Sequence, residues 1–349
     1  MSELQTDIAD RDRLDTERLS AWMRANVPGF KGPLDYAKFS GGQSNPTYKL
    51  TTPTASYVLR RKPMGDLLPS AHQVDREYRV MAALHPTGFP VPRQYGLCED
   101  AGVIGSAFYV MEMVEGRTIW DGGMPDLSPA QRREHYHAMI DTLADLHNTD
   151  YEKIGLGDFG RPGNYFERQV GRWTKQYRGA ETEHMPAMEA LIDFLPRTIP
   201  RQTRTSIVHG DYRVDNMKFA PGSDGRVVAV LDWELCTLGD PTADLTYYLM
   251  SWVTEPEGRS GVQGLTGPDT GIPTLEEMVE RYCARTGRDG LPQLDWYFAF
   301  NLFRLASIVQ GIKKRFLIGT ASSARAEEMS ARVPMLADAA LTFARRAGA

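Results

Sequence analysis

The feature that most restricts this chain is a pair of short apolar runs that each deliver carboxylates to a loop. Ser206-Ile207-Val208 leads into His209-Gly210-Asp211-Tyr212-Arg213-Val214-Asp215-Asn216. Sixteen residues after Asn216, Val228-Ala229-Val230-Leu231 ends in Asp232-Trp233-Glu234. A strand that ends in an aspartate sets an oxygen ligand at a cleft, because an unpaired charge inside the packing is too costly. Mg²⁺ takes carboxylate and amide oxygens alongside substrate phosphates, and Asn216 and Asp232 offer that pair. Asp211 stands five residues before Asn216 on the same loop. There it can accept a proton from a hydroxyl while Asn216 holds metal. Phosphoryl transfer needs this division of labour, since positioning and charge neutralisation do most of the catalysis. His209 is expected to organise the loop rather than to act as acid or base.

The pattern on either side of Glu115-Gly116 divides the chain into 1–115 and 116–349. The first part opens with an amphipathic helix over Thr16 to Asn26. Strands are then predicted at 37–40, 47–50, 56–62, 92–98 and 107–113, with one helix at about 72–84 between them. The second part reads as helical. Ser128-Pro129-Ala130-Gln131 is a capping box with proline at the first helical position. Asp240-Pro241 caps another helix, and a last helical region begins at Leu294. A strand-rich island at 205–231 interrupts the helices. Glu255 to Thr274 carries five Gly and three Pro and reads as a lid or a disordered loop. The expected class is α+β, with a strand-rich lobe before a helical one.

His-x-Asp-x-x-x-x-Asn followed by a strand aspartate resembles the catalytic core of the aminoglycoside phosphotransferase and choline kinase superfamily, and Gly239-Asp240-Pro241-Thr242-Ala243-Asp244 resembles its continuation. The resemblance implies a bilobal protein-kinase-like fold, ATP and Mg²⁺ as cofactors, Asp211 as catalytic base, and Asn216 and Asp232 as metal ligands. It covers about Phe39 to Trp252. In the first lobe, Gly41-Gly42-Gln43-Ser44-Asn45 sits between two strands, where backbone N–H groups can approach phosphates. Gly41, Gly42, Ser44 and Asn45 are its candidate contacts. Arg60 and Lys62 point to one face of their strand and Arg61 to the other. The resemblance puts the phosphate-contacting cation at Arg60, with Lys62 as the alternative, and Glu77 as its helix partner. Tyr109 to Met113 resembles the hinge that binds adenine, with Glu112 and Met113 as contacts.

The acceptor is read from charge. The stretch 160–178 holds five cations and one acid, interleaved with aromatics. Arg161, Arg168 and Arg172 would attract a carboxylate, phosphate or coenzyme A group. On the nearly all-apolar helix 296–309, Asn301, Arg304 and Ser307 form a narrow polar stripe that faces either the acceptor cleft or an internal ion pair. Gly155 to Tyr165 and Tyr57 to Pro63 resemble the kinase-like domains fused to some eukaryotic acyl-CoA dehydrogenases and their bacterial stand-alone relatives. That implies a hydroxy acid or hydroxyacyl-CoA acceptor. An aminoglycoside or choline-like acceptor, and a non-catalytic nucleotide-binding module of the same fold, are the alternatives.

In 349 residues, 40 Lys+Arg stand against 45 Asp+Glu, a formal charge of −5. This mild acidity argues against a nucleic-acid partner. No apolar run is long enough to span a membrane, and the first twenty residues lack a signal-peptide core. Cys98, Cys236 and Cys283 form no CxxC pair and are expected as free thiols in the cytoplasm.

Overall fold

A computed structural model describes residues 4–5, 8–40, 45–65, 72–222, 225–256, 260–320 and 326–349. The first lobe is one antiparallel sheet. Strands β1 (Leu4–Gln5), β2 (Asp35–Phe39), β3 (Thr47–Thr51), β4 (Ser56–Arg61), β5 (Gln94–Cys98) and β6 (Phe108–Glu112) pair in the order β1-β2-β3-β4-β6-β5. Side-chain alternation sorts the two faces. Tyr57 and Leu59 of β4, with Phe108 and Val110 of β6, pack in one cluster with Leu19 and Met23 of helix α1 (Thr16–Asn26). Val58, Tyr109 and Met111 face the other way, into the cluster that holds Val74, Val80, Met81 and Leu84 of α2 (Val74–Leu84). A helix thus covers each face of the sheet. Arg61 follows its predicted face away from Arg60 and donates to the Ile104 carbonyl at 3.1 Å.

The second lobe is helical, as expected. Helix α3 (Pro129–Asn148) starts at the predicted Ser128–Gln131 capping box. Helices α4 (Tyr165–Ala180), α5 (Pro186–Arg197), α6 (Thr242–Leu249), α7 (Leu275–Thr286), α8 (Leu294–Leu317), α9 (Ala326–Ser330) and α10 (Val333–Arg346) follow. Asp240 caps α6, accepting the Thr242 N–H at 2.9 Å. Helix α8 packs on α4, α6 and α10, which accounts for its apolar circumference. Among the described residues no helix is long and apolar enough to cross a membrane.

Two small two-stranded sheets form at and just after the strand-rich island. β7 (Ser206–Val208) pairs with β10 (Thr237–Gly239), and β8 (Met217–Phe219) pairs with β9 (Val227–Val230). Together they fold the segments after Val208 and after Val230 back on one another. The Leu231 N–H meets the Asn216 carbonyl at 2.8 Å, so the two carboxylate-bearing loops become neighbours.

The described part of 255–274 is anchored, with Val262 and Ile272 buried. Gly271 sits at φ +76, and a Cβ there would lie 1.8 Å from the Pro129 carbonyl oxygen. A side chain at 271 therefore meets both backbone strain and a backbone clash at the start of α3. Gly271→Ala is expected to destabilise the protein by about 2 kcal/mol or more. Urea denaturation of the variant beside the parent measures this.

Candidate active site

The loop after β7 is held from below by a buried carboxylate. Asp244, 1% exposed on the first turn of α6, accepts the N–H of His209 at 2.5 Å and of Gly210 at 2.8 Å. His147 of α3 stands 3.5 Å from the same carboxylate and shares a 2.7 Å hydrogen bond with Tyr282. Burial pushes Asp244 up, but His147 and the loop N–H groups outweigh it and hold its carboxyl below the usual range. Burial holds His147 below the ordinary histidine value, so it is neutral near pH 7. Gly210 takes φ +87, and a Cβ there would press within 2.8 Å of the Leu235 backbone. His209 organises the loop as expected. One ring nitrogen contacts the Leu231 carbonyl at 2.9 Å and the other accepts the Asp211 N–H at 3.2 Å.

With the loop held, the Asp211 carboxylate has both oxygens engaged. Oδ2 accepts from Asn216 Nδ2 at 3.0 Å, and Oδ1 accepts from the Tyr247 hydroxyl at 2.7 Å. Arg213 Nε lies 3.2 Å from Oδ1. Burial first, then the Asp211 charge, raises the Tyr247 phenol, so it remains a proton donor to Asp211. Because Asn216 Nδ2 is committed to Asp211, the amide oxygen is the atom it offers a ligand. Asp232 follows β9 at φ 65, in the left-handed region. For an aspartate this costs on the order of 1–2 kcal/mol, the kind of strain that gathers at functional sites. Asn216 and Asp232 are hard oxygen donors on adjacent loops. That set fits Mg²⁺ and does not suit softer ions.

Arg60 reaches the same place from the sheet. Its Nη2 donates to Asp232 Oδ1 at 2.7 Å and lies 3.4 Å from Glu234 Oε2, while Nε is 3.0 Å from Glu77 Oε2. Burial opposes its charge, but Glu77 and the other acidic neighbours outweigh that and hold it ionised. Lys62, the alternative cation, turns away and lies 3.7 Å from Asp75. Burial pushes Glu77 up to about 7, against the pull of Arg60.

The other nucleotide candidates divide. Gly41, Gly42 and Ser44 lie outside the described residues. Asn45 is fully buried and donates to Glu77 Oε1 at 2.7 Å. Its side chain is thereby tied to the carboxylate of α2, which leaves only its backbone N–H for the expected phosphate contact. Glu112 closes β6, with its N–H on the Arg93 carbonyl at 2.9 Å, and Met113 follows, half-buried.

The four arginines proposed for the acceptor separate into pairs. Arg304 reaches the loop after β7, donating to the Gly210 carbonyl at 2.8 Å. Its guanidinium lies 5.0 Å from the Tyr247 ring centre and 5.5 Å from that of Trp173. Arg172 stacks on the same Trp173 at 5.2 Å. The polar stripe of α8 thus meets that loop and α6, where Asn301 donates to Thr246 at 2.9 Å, rather than an ion pair. Arg168 instead bends back onto the carbonyls of Gly163 and Arg161. Its guanidinium closes the loop before α4, a correction to its expected role. Arg161 and Arg168 line a separate cavity of about 340 Å³ with Arg76 and Thr237. Elsewhere, Glu181, His184 and Glu189 cluster with metal-ligand spacing, but Arg178 bridges the two glutamates and already supplies the cation.

Residues 35–297 match the phosphotransferase enzyme family. The chain belongs to that family. It is 45% identical over 320 residues to mouse acyl-CoA dehydrogenase family member 10, covering 91% of this chain and 30% of the relative. It is 38% identical over 351 residues to human acyl-CoA dehydrogenase family member 11, covering 98% of this chain and 45% of the relative. The chain thus spans less than half the length of these curated relatives. A crystal structure from Ralstonia eutropha, of a protein assigned by name to the aminoglycoside phosphotransferases, superimposes with a TM-score of 0.88 at 50% identity, covering 96% of this chain and 99% of that one. Aminoglycoside phosphotransferase APH(4)-Ia, in ternary complex with AMP-PNP and hygromycin B, shares the fold at a TM-score of 0.60 and 15% identity, covering 95% and 98%. The family's bilobal, kinase-like α+β fold is therefore the fold of this chain.

Four members of the site escaped sequence reading. Tyr247 lies off the apolar face of α6, and Arg213 lies inside the motif with no spacing rule to mark it. Trp173 reads as core. Tyr109 was legible in principle, because it pairs directly with Arg60 across β4 and β6.

Asp244 should give the protein an acid limb of stability. Its folded value lies below the ordinary aspartate value of 3.8, so its contribution is complete above that value and lost as pH falls through the folded one. Asp244→Asn should destabilise by about 2–4 kcal/mol at pH 7 and flatten that limb. Urea midpoints collected from pH 7 to pH 2 test both.

Proposed function

We propose that this chain is an ATP- and Mg²⁺-dependent small-molecule kinase whose acceptor is a hydroxy acid or a hydroxyacyl-CoA. The observation that carries the catalytic part is the aimed Asp211 carboxylate, held between Asn216 and Tyr247 beside the Arg60–Asp232 pair. Asp211 takes the proton of the acceptor hydroxyl as its oxygen bonds to the γ-phosphorus. The bond from γ-phosphorus to the bridging oxygen breaks, and ADP leaves with that electron pair. Asn216 and Asp232 would hold Mg²⁺, which neutralises charge on the β- and γ-phosphates when bound. Arg60, braced by Glu77, meets phosphate oxygens. The hinge at Tyr109 to Met113 would carry the base, with Glu112 and Met113 as its contacts. Three buried free thiols fit the cytoplasmic setting of this reading.

The acceptor's charge is argued from Arg304. Its buried guanidinium faces two rings and one carbonyl, and among the described residues no carboxylate lies within ion-pair distance of it. Arg213 is paired with Asp211 and Asp215, whereas Arg172 adds positive charge beside Trp173. A polycation such as an aminoglycoside would meet like charge there, whereas a carboxylate or coenzyme A phosphate would meet its complement. The hygromycin B in the APH(4)-Ia complex is a ligand of that protein.

An ATP-consumption screen over hydroxy acids, their acyl-CoA thioesters, choline-like alcohols, sugars and aminoglycosides tests the reading. Turnover is expected with the anionic acceptors, and preference for aminoglycosides would overturn the assignment. A Mg·ATP thermal shift with no turnover of any acceptor would favour a non-catalytic module. Asp211→Asn should lower kcat about 10²–10⁴-fold while Mg·AMP-PNP still binds. Asp232→Ala should weaken that binding itself. Arg304→Ala should raise the KM of an anionic acceptor about 10–100-fold and leave the KM of ATP unchanged.

A further inference from the structure

The Arg60–Glu77 pair is not self-sufficient. Glu77 is 1% exposed, and a carboxylate so placed needs donors on both oxygens. Arg60 and the Tyr109 hydroxyl both reach Oε2, each at 3.0 Å. Oε1 is met from another direction, by Asn45 Nδ2 at 2.7 Å. Asn45 is itself fixed, because its Oδ1 lies 3.0 Å from His72 Nδ1, which makes that nitrogen the donor. His72 holds a left-handed backbone at φ 58 just before α2, a conformation kept only where its surroundings demand it. Tyr109 stands opposite Arg60 in the β4–β6 register, so the two share a face of the sheet. Asn45 directly follows the glycine-rich turn.

We propose that Asn45 and Tyr109 are positioning residues that lock the chain at the end of the glycine-rich turn to the Arg60–Glu77 pair, each by donating to one carboxylate oxygen of Glu77. The inference rests on reading the cleft as a nucleotide site. Without Asn45, Oε1 loses its donor in a pocket closed to water. Glu77 then favours its neutral form, and Arg60 is released toward Asp232 and Glu234, away from an incoming phosphate. Loss of the Tyr109 hydroxyl acts on Oε2 in the same sense. The charged and titratable groups that face Glu77 are Arg60 from β4 and Tyr109 from β6, with Asp232 and Glu234 across the cleft. His72 acts at one remove, through Asn45.

The test is a set of double-mutant cycles on the full chain, read as the affinity of Mg·AMP-PNP by calorimetry. Glu77→Gln should weaken binding about tenfold or more. Asn45→Ala and Tyr109→Phe should each weaken it about three- to tenfold alone and change it little in the Glu77→Gln background. With the best acceptor of the screen, both should raise the KM of ATP and leave that of the acceptor unchanged. Additive losses would overturn the proposal, as would full affinity in both variants while Glu77→Gln is weak. Full affinity in Glu77→Gln would instead sink the nucleotide-site reading. If Asn45→Ala melts early, Tyr109→Phe, which keeps the ring, still decides the matter.

Discussion

A single buried carboxylate governs the geometry of this site. Asp244 lies under the loop that follows β7 and satisfies two backbone N–H groups there, while neutral His147 closes its remaining side. A charge removed from water must be met by donors in fixed directions, and here the donors belong to the loop itself. The loop is therefore not free to choose its path. His209 extends the constraint to the second hairpin through the Leu231 carbonyl, and Arg304 extends it to α8 through the Gly210 carbonyl. Asp211 is aimed because everything around it is tied to the same anchor.

Two arginines near this anchor show how surroundings assign a role. Arg60 is flanked by Glu77, Asp232 and Glu234, so its charge is more than matched. On the proposed reading, a triphosphate would compete with these carboxylates for it. Arg304 stands against rings and a carbonyl. Among the described residues its charge is met by dipoles and π-faces and by no carboxylate at ion-pair distance.

The parts of this fold that sequence reveals are those governed by short-range periodicity. The sheet strands, α1, α2, the capping box of α3 and the strand-to-aspartate runs all follow from alternation, helical spacing or cap chemistry. The runs leading to Asp211 and Asp232 were legible for the same reason, and the fold brings their two loops together through the Leu231 N–H and the Asn216 carbonyl. Helix α7 was missed although Thr274 and Glu277 form a capping box, because the Gly- and Pro-rich run before it dominates the pattern. The direction of the Asn45 side chain was not legible, because the chemistry of a turn does not tell which way its last amide points. That direction is set by Glu77, 32 residues away.

The arginine-rich stretch shows where composition stops being informative. Arg161, Arg168 and Arg172 read alike in sequence, as one basic face. In the fold, Arg168 is spent on two carbonyls of its own loop, while Arg172 shares a tryptophan with Arg304. A guanidinium that caps carbonyls is fixed in direction, with only its remaining N–H groups open to a ligand. One that stacks on a ring keeps its N–H edge available in the ring plane. On the proposed reading, the positive charge offered to an acceptor is narrower than the sequence suggests, because it comes from Arg172 and Arg304, whose guanidinium groups share Trp173.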